Sequence, residues 1–454
     1  MKIQLPEFAL KIVTKMENNG FEIYVVGGAV RDLVLGRIIY DWDFATNATP
    51  EEIIKIFPEG YYNNTFGTVG IVDDSSPTPF EITTYRKEFG YSDSRRPDKV
   101  EWGKTLKEDV SRRDFTINAM ALKLSPTGKD SAEAKIIDYF DGKIDIDQKI
   151  IRTVGNPNER FSEDALRMMR AIRIASEIGF DIEEETMSGI KTNAHLINKI
   201  AKERIKTELM KIFASPNPFE GMTLLRESGL MNEILPEMEK TFGVEQKSPG
   251  RHHLYDVGTH LMLALKNCKS QDPITRFATL IHDIGKPATY KKTENGVITF
   301  YNHEMVSTKI AENIADRLRF SAKEKEKLVT LVRWHQFTVD DKQTDSAIRR
   351  FIRNVGLNYI EDMLELRTAD RLGGGASETS WRTEEFKKRI VEVQKQPFSV
   401  RDLKINGKDV MNVLSLKPGP KVGEILDKLF EEVSEKGLSN EKEVLMEKIK
   451  EFTS

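Results

Sequence analysis

The chain has 454 residues, with 69 lysines and arginines against 72 aspartates and glutamates, for a formal net charge of -3. That length holds about three or four domains, and the balanced charge excludes a globally basic nucleic-acid binder, leaving any RNA contact to local clusters. The single cysteine, Cys268, excludes an internal disulfide; the start MKIQLPEF lacks a signal-type apolar core and no apolar run could span a bilayer, so the expectation is a soluble, cytoplasmic protein with no membrane partner.

Phe8, Ile12, Val13 and Met16 fall at helical spacing and stop at Asn18-Asn19-Gly20. Residues 22–26 (EIYVV) read as a buried strand entering a Gly27-Gly28 turn, Ala29 to Leu35 as a short helix, and 41–45 as a second strand. Thr49-Pro50-Glu51-Glu52 is a capping box with proline at the first helical position. Strands follow at 67–72 and 80–85, and then a long polar stretch, 86–108, with Tyr91, Arg95, Arg96, Asp98 and Glu108, reads as a mobile loop. This alternation predicts an α/β head over 1–145. Helical periodicity dominates from there, broken at 241–251, at Gly373-Gly374-Gly375 and at 396–399. The expected fold class is α+β: the head, a helical neck and body over 146–240, a histidine-rich helical segment over 241–395, and a helical tail over 396–454.

The head carries Gly27-Gly28-Ala29-Val30-Arg31-Asp32 and Asp41-Trp42-Asp43. An extended Asp-x-Asp points both carboxylates to one face, which suits Mg²⁺ ions that keep their other positions for substrate phosphates. The Gly27-Gly28 turn lets backbone N–H groups close on those phosphates, and Arg31 adds a cation. Neither motif is specific alone; joined as strand, turn, short helix and strand they point to metal-dependent nucleotidyl transfer. Glu81, on the strand at 80–85, is either a third metal carboxylate or an exposed strand residue. Arg112 and Arg113 suit a triphosphate, and Asp114 can accept from a ribose hydroxyl while also serving as a helix N-cap.

Asp164, Arg167, Arg170 and Arg173 step by three, so on one helix they make a single stripe, opposite the apolar Leu166, Met169 and Ile172. A plain salt-bridge ladder has the same pattern. Cytosine and adenine both present an exocyclic amine beside a ring-nitrogen acceptor, so an aspartate and an arginine can read either base. Uracil and guanine reverse that order and leave like facing like, which a dry pocket rejects.

In order along the chain, GGAVRD, DWD, RRDFTINAMA, DGKID (141–145), EDALRMMRAIR and AKER (201–204) resemble the motifs of class II tRNA nucleotidyltransferases. These are the bacterial and eukaryotic CCA-adding enzymes, with the bacterial poly(A) polymerases as relatives. The resemblance covers 20 to about 240. It implies a nucleotidyltransferase-fold head, tRNA, CTP and ATP as partners, and Mg²⁺ at the catalytic Asp41 and Asp43. It also implies Gly27, Gly28, Arg31, Arg112, Arg113 and Asp114 at the nucleotide's phosphates and ribose. Asp164 and Arg167 would be the protein template, with Arg170 and Arg173 nearby. EDALR resembles the CCA form, since polyadenylating relatives carry proline after the aspartate. The intact 86–108 segment disfavours enzymes that stop after CC and leaves an A-adding enzyme or a poly(A) polymerase as alternatives.

Six of the seven histidines fall between 252 and 335. Imidazoles with carboxylates form a mixed N/O site for a transition metal or Mg²⁺. Leu280-Ile281-His282-Asp283-Ile284-Gly285-Lys286 resembles the HD phosphohydrolase signature. That implies an HD domain over 241–395, a divalent or transition metal at His260, His282, Asp283 and Asp370, and a second ion or a substrate phosphate at His303 and His335. The reaction implied is hydrolysis of 2′,3′-cyclic or terminal phosphates at RNA ends, although some relatives keep the domain as scaffold. A protein whose only activity is this hydrolysis, with a head that docks RNA, is the rival of another class. His252 and His253 read as RNA-facing or structural. The tail around 403–423 reads as either an RNA clamp or a helical cap, and the charged final helix, 441–452, is expected to be solvated.

Overall fold

The computed structural model describes residues 1–39, 41–62, 67–74, 78–89, 99–246, 255–337, 343–378, 381–393 and 400–452. His252, His253, Tyr91, Arg95, Arg96 and Asp98 lie outside the described residues. The chain divides into two compact units, Met1–Glu239 with Arg317–Arg319, and Lys240–Asp316 with Phe320–Ser454.

In unit 1, β1 (Lys2–Gln4) leads into α1 (Glu7–Asn18), which buries Ala9, Leu10, Ile12, Val13 and Met16. β2 (Ile23–Val26), α2 (Gly28–Val34) and β3 (Asp43–Thr46) frame the glycine turn. At α3 (Pro50–Ile56) the Thr49 side chain accepts from Glu52 N, Glu52 accepts from Thr49 N, and Pro50 takes the first position. β4 (Tyr61–Tyr62), β5 (Thr68–Ile71) and β6 (Phe80–Thr84) follow. The stretch expected as a loop holds an antiparallel pair, β7 (Arg86–Phe89) and β8 (Lys99–Trp102), and then α4 (Leu106–Ser111). β9 (Ala121–Pro126) and β10 (Ser131–Ile137) complete an eight-stranded sheet in the order β1-β10-β9-β2-β3-β6-β5-β4. All its neighbours are antiparallel except β3 and β6. β10 alternates buried Ala132 and Ala134 with exposed Glu133 and Lys135, a strand pattern hidden by the low strand propensity of alanine, glutamate and lysine.

Two expectations are corrected here. Asp41 is exposed and precedes β3, so the aspartate pair does not share one strand. The expected stripe is interrupted at its first member. α6 (Pro157–Glu163) ends at Asp164, which is extended (φ -138°, ψ 104°), and α7 (Leu166–Ile178) starts after it. The Asp164 Oδ1 accepts from Leu166 N at 3.0 Å, the local bond that competes with helix continuation. Leu166, Met169 and Ile172 are buried as expected. α5 (Gly142–Gln148) precedes a short parallel pair, β11 (Ile150–Ile151) and β12 (Asp181–Ile182). Helices α8 (Glu184–Asn193), α9 (Lys202–Ala214), α10 (Pro218–Glu227), α11 (Leu230–Ile234) and α12 (Pro236–Glu239) pack the rest of the unit.

Unit 2 is almost entirely helical. α13 (Val257–Asn267), α14 (Pro273–Ile281), α15 (Lys286–Thr289), α16 (His303–Arg317), α17 (Ala322–Trp334), α18 (Asp345–Val355), α19 (Ile360–Gly373) and α20 (Trp381–Val393) follow in turn. The two-residue strands β13 (Lys291–Lys292) and β14 (Ile298–Thr299) join α15 to α16. The tail helices α21 (Gly407–Leu414), α22 (Pro420–Lys436) and α23 (Lys442–Glu451) share a core that includes Val410, Leu429, Leu445 and Ile449. The final helix is therefore amphipathic and docked, not solvated all round, because its buried residues Leu445 and Ile449 sit four apart on one face.

Candidate active site

The parallel register of β3 and β6 sets Asp43 beside Glu81. Both line a cavity of about 550 Å³ within unit 1. Burial raises the Asp43 pKa to about 6; Arg113 works against this, and the charges of Glu81 and Asp41 reinforce it. Carboxylates held this close form an oxygen donor set whose repulsion a divalent cation would relieve, so these residues fit such an ion.

The glycine turn sits against this group. Gly27 has φ +75°, and a Cβ there would come 2.9 Å from Arg113 Nη1 and 3.7 Å from Asp43 Oδ2. The left-handed backbone demands glycine, and a Cβ there would also push the Arg113 guanidinium aside. At Gly28 a Cβ would lie 3.5 Å from Arg31 Nη2. Arg31 is buried; it donates to both Asp32 oxygens at 3.0 Å and, through Nη1, to Asn118 Oδ1 at 3.0 Å.

Arg112 and Arg113 are both held by Asp109. Arg112 donates through Nη2 (2.6 Å) and Nε (3.1 Å) to Oδ1, and Arg113 through Nη2 to Oδ2 at 3.4 Å. Burial works against the Asp109 charge, but the two guanidinium groups hold its carboxyl below the usual range. Asp114 caps no helix. The 3₁₀ turn Thr116–Asn118 follows Phe115 and has no side-chain cap, because the Asp114 carboxylate is spent elsewhere. Its Oδ1 accepts from Phe115 N (2.9 Å) and Asn118 Nδ2 (3.2 Å), and its Oδ2 from Arg170 Nε (2.8 Å) and Nη2 (2.6 Å). Burial opposes this charge too, yet Arg170 keeps the carboxyl well below the usual carboxylate range.

Asp164, Arg167 and Arg170 line the same cavity as Arg112, Arg113 and Asp114. Arg167 donates to Glu163 Oε2 (2.6 Å), to the Arg160 carbonyl (3.3 Å) and, across to the arginine pair, to the Arg112 carbonyl (3.0 Å). Asp164 Oδ2 accepts from Arg204 Nη2 at 3.2 Å. Arg173 does not line the cavity; it is tied to Glu208 (2.7 Å) and Glu177 (2.9 Å). The ladder alternative is thus partly present, in the pairs Arg167–Glu163 and Arg173–Glu177. Three residues of this arrangement were not singled out from the sequence: Asp109, Asn118 and Arg204. Asp109 had a signal, since it stands three and four residues before the arginine pair on what is a helix; Asn118 and Arg204 had none beyond their motifs.

Three family models match the chain: the poly A polymerase head domain over 23–152, the RNA and SrmB-binding site of polymerase A over 179–242, and tRNA nucleotidyltransferase domain 2 over 291–449. A CCA-adding enzyme of Ligilactobacillus salivarius is 35% identical over 445 residues, covering 98% of this chain and 96% of the relative. The chain belongs to the CCA-adding enzyme family. The CCA-adding enzyme of Limosilactobacillus reuteri is 35% identical over 466 residues, covering 100% of this chain and 99% of its own. Among solved structures, that of the Bacillus stearothermophilus CCA-adding enzyme in complex with CTP superposes with a TM-score of 0.70 at 28% identity, over 99% of this chain and 98% of that one. A Thermotoga maritima CCA-adding enzyme complexed with tRNA shares the fold at a TM-score of 0.59 and 18% identity, over 100% of both chains. A nucleotidyltransferase of this family uses a divalent metal, and no helix among the described residues is long and apolar enough to cross a membrane.

In unit 2 of this CCA-adding family member the histidines converge. His260 lies on α13, His282 follows α14, His303 opens α16, His335 follows α17, and Asp370 lies on α19. Asp283 stands between two groups. Its Oδ2 is 3.7 Å from His260 Nε2 and 3.5 Å from His282 Nε2, and its Oδ1 is 3.0 Å from His303 Nε2 and 3.4 Å from His335 Nε2. Asp370 Oδ1 lies 3.1 Å from His260 Nε2 and 3.5 Å from His282 Nε2. The Nδ1 atoms of His282, His303 and His335 each lie 2.7 to 2.8 Å from a backbone carbonyl, so their Nε2 atoms face the centre. That arrangement fixes the ligating tautomer. His260 Nδ1 and His282 Nε2 are buried without a hydrogen-bond partner among the described residues. Lys286 Nζ also reaches Asp283 Oδ2 at 2.5 Å and Gln246 Oε1 at 2.6 Å. The donor set fits a metal ion on either side of Asp283.

Proposed function

We propose that unit 1 builds the CCA end of tRNA without a nucleic-acid template, using CTP and ATP, in the cytoplasm where tRNA matures. The observation that carries this reading is one cavity whose walls bring together Asp43 with Glu81, Arg112 with Arg113, and Asp164 with Arg167. Those are a metal-type carboxylate set, a triphosphate-type cation pair and a base-reading pair.

Mg²⁺ bound at Asp41 and Asp43, with Glu81 beside them, would acidify the tRNA 3′-hydroxyl and draw charge from the α-phosphate and the leaving pyrophosphate. Arg112 and Arg113 bind the triphosphate, and Asp109 fixes their direction before it arrives. Gly27 and Gly28 let the chain approach the phosphates without a side chain between, and Arg31 braces that turn. The 3′-hydroxyl attacks the α-phosphate in line and pyrophosphate departs on the opposite side. Asp164 accepts from the exocyclic amine of cytosine or adenine; a carboxylate has about four acceptor positions, so the bond from Arg204 leaves room. Arg167 donates to the ring nitrogen. Asp114, held by Phe115 N, Asn118 and Arg170, orients α7, and a ribose hydroxyl would have to displace one of these donors to reach it.

The test uses three tRNAs, ending at the discriminator base, after one C and after CC, with labelled CTP or ATP and Mg²⁺. Completion of CCA on all three is expected, and Asp41→Ala should abolish addition of both nucleotides. AMP incorporation on the CC-ended tRNA alone would make the protein an A-adding enzyme. Long ATP-only tails on any RNA would move it to the polyadenylating branch.

The convergence of histidines on Asp283 favours a second reaction in unit 2, metal-assisted hydrolysis of a phosphoester at an HD-type site. His260, His282 and Asp370 would share one ion with Asp283, and His303 and His335 a second ion or the substrate phosphate. Stoichiometric metal by elemental analysis, lost in His282→Ala, together with phosphate release from a 3′-phosphorylated or 2′,3′-cyclic RNA end, is the expected result. Metal without hydrolysis would leave the site structural, and no metal would remove the assignment.

A further inference from the structure

Between the glycine turn and α7 runs an unbroken line of polar contacts, buried at its centre and part-buried at its ends. Asp32 holds Arg31 from both oxygens at 3.0 Å, and Arg31 Nη1 donates to Asn118 Oδ1 at 3.0 Å. Asn118 Nδ2 donates to Asp114 Oδ1 at 3.2 Å, and Asp114 Oδ2 accepts from Arg170 Nε at 2.8 Å. Asn118 is 6% exposed and sits in the middle. We infer that Asn118 is a positioning residue that ties the phosphate end of the cavity to the base-reading helix, so that C and A are selected correctly only while this amide is in place. The inference rests on the nucleotidyl-transfer reading given above.

The chemistry of the position leaves little freedom. An arginine can only donate and an ionised aspartate can only accept, so the group between them must accept on one side and donate on the other. A carboxamide does both at the required separation. An aspartate at 118 would satisfy Arg31 but set a second anion against Asp114. A leucine, of nearly the same shape, would leave Arg31 Nη1 without its Asn118 acceptor and remove one donor from a carboxylate that is otherwise fully engaged.

The two ends of this line are the functional ends of the cavity. Arg31 lies 3.5 Å from where a Gly28 side chain would begin, against the turn proposed for the phosphates. Arg170 is one helical turn from Arg167 on α7 and lines the cavity with Asp164 and Arg167. Anionic phosphates at the turn compete with Asp32 for Arg31, and through the shared amide they alter the pull on Asp114 and so on Arg170. The base-reading wall is thereby set against a seated triphosphate.

The test compares wild type, Asn118→Leu, Arg170→Met and the double variant, on a CC-ended tRNA with ATP or UTP and on a one-C tRNA with CTP or UTP. Asn118→Leu is expected to lower the kcat/KM preference for the correct nucleotide by about tenfold, a shift on the order of one decade per 1.4 kcal/mol. The loss should lie mainly in KM, with Arg170→Met giving a similar loss and the double variant little more than either. Preference unchanged in Asn118→Leu while its thermal midpoint falls would overturn the inference and leave Asn118 structural. Fully additive losses would overturn it as well. If Asn118→Leu does not fold, Asn118→Ala, which lacks both the acceptor and the donor, is read the same way. Absence of CMP and AMP addition by wild type would instead sink the nucleotidyl-transfer reading itself.

Discussion

Replacing Asp109 by asparagine changes one atom of a buried carboxylate and removes the charge that holds two guanidinium groups. The Asp109 side chain is 1% exposed, against 16% for Arg112 and 19% for Arg113. Arg112 makes the short contacts, at 2.6 and 3.1 Å to one oxygen, while Arg113 stands at 3.4 Å and contributes less. Breaking a buried ion pair costs about 3–5 kcal/mol; the asparagine carbonyl still accepts from Arg112, so the expected loss is at the lower end, about 3 kcal/mol. At about 2–4 °C per kcal/mol for a unit of this size, the thermal midpoint of unit 1 should fall by about 6–12 °C. The folded carboxyl titrates below its unfolded value of about 3.9. The stabilisation is therefore complete above that value and is lost as pH falls through the folded pKa, so the gap between wild type and Asp109→Asn should be full at pH 7 and close in acid. In steady-state addition assays the KM for both CTP and ATP should rise by about tenfold, with the preference for C and A over U nearly unchanged, since Asp164 and Arg167 keep their own partners. A midpoint within about 2 °C of wild type, with unchanged KM, would refute the assignment of Asp109 as the residue that sets the arginine pair.

Gly27→Ala forces a side chain into a left-handed backbone and against Arg113; a loss of about 1–2 kcal/mol in stability should accompany a larger loss in CTP and ATP addition, measured by calorimetry and by primer extension. Arg167→Ala should loosen the preference for C and A over U by about tenfold or more while slowing the correct addition less; equal losses for correct and incorrect nucleotides in single-turnover assays would contradict its base-reading role. In unit 2, His282→Ala should abolish metal binding measured by elemental analysis after dialysis, and leave CCA addition by unit 1 intact.

The features legible in the sequence were those whose chemistry is contiguous along the chain. The glycine turn, the Arg112-Arg113 pair and the His282-Asp283 pair announce themselves because neighbouring residues stand together in each; Arg112 and Arg113 line one cavity and Asp283 another. The misread features are those where a local pattern runs through a break. Apolar spacing continues across Asp164, so the stripe reads as one helix although a side-chain bond to Leu166 N ends it there. β10 alternates alanines with charged residues and keeps its β-branched residues, Ile136 and Ile137, to its last two positions. Asn118 was invisible for a different reason: its meaning lies in what stands on either side of it in space, 87 residues back at Arg31 and four back at Asp114.

Among the arginines that line the unit 1 cavity, Arg112 and Arg113 pair with Asp109, Arg167 with Glu163, Arg170 with Asp114, and Arg204 with Asp164; Arg31, beside the glycine turn, pairs with Asp32. A cavity lined with guanidinium groups alone would repel itself and leave each side chain free among many rotamers. A carboxylate beside each arginine neutralises the wall and fixes the direction of the remaining N–H groups. Base choice without a nucleic-acid template requires that rigidity, since one rotamer change in Arg167 would present a different donor pattern to the incoming base. On the proposed reading, the carboxylates are as much a part of selection as the arginines they hold. Removing Glu163, which never needs to touch a nucleotide, should blur the choice between C and U in the same direction as removing part of Arg167, whereas a wall made only of charge would respond to its loss with tighter nucleotide binding. Single-turnover CTP and UTP incorporation by Glu163→Gln separates those two outcomes, and an unchanged preference in that variant would mean that the pairing serves stability alone.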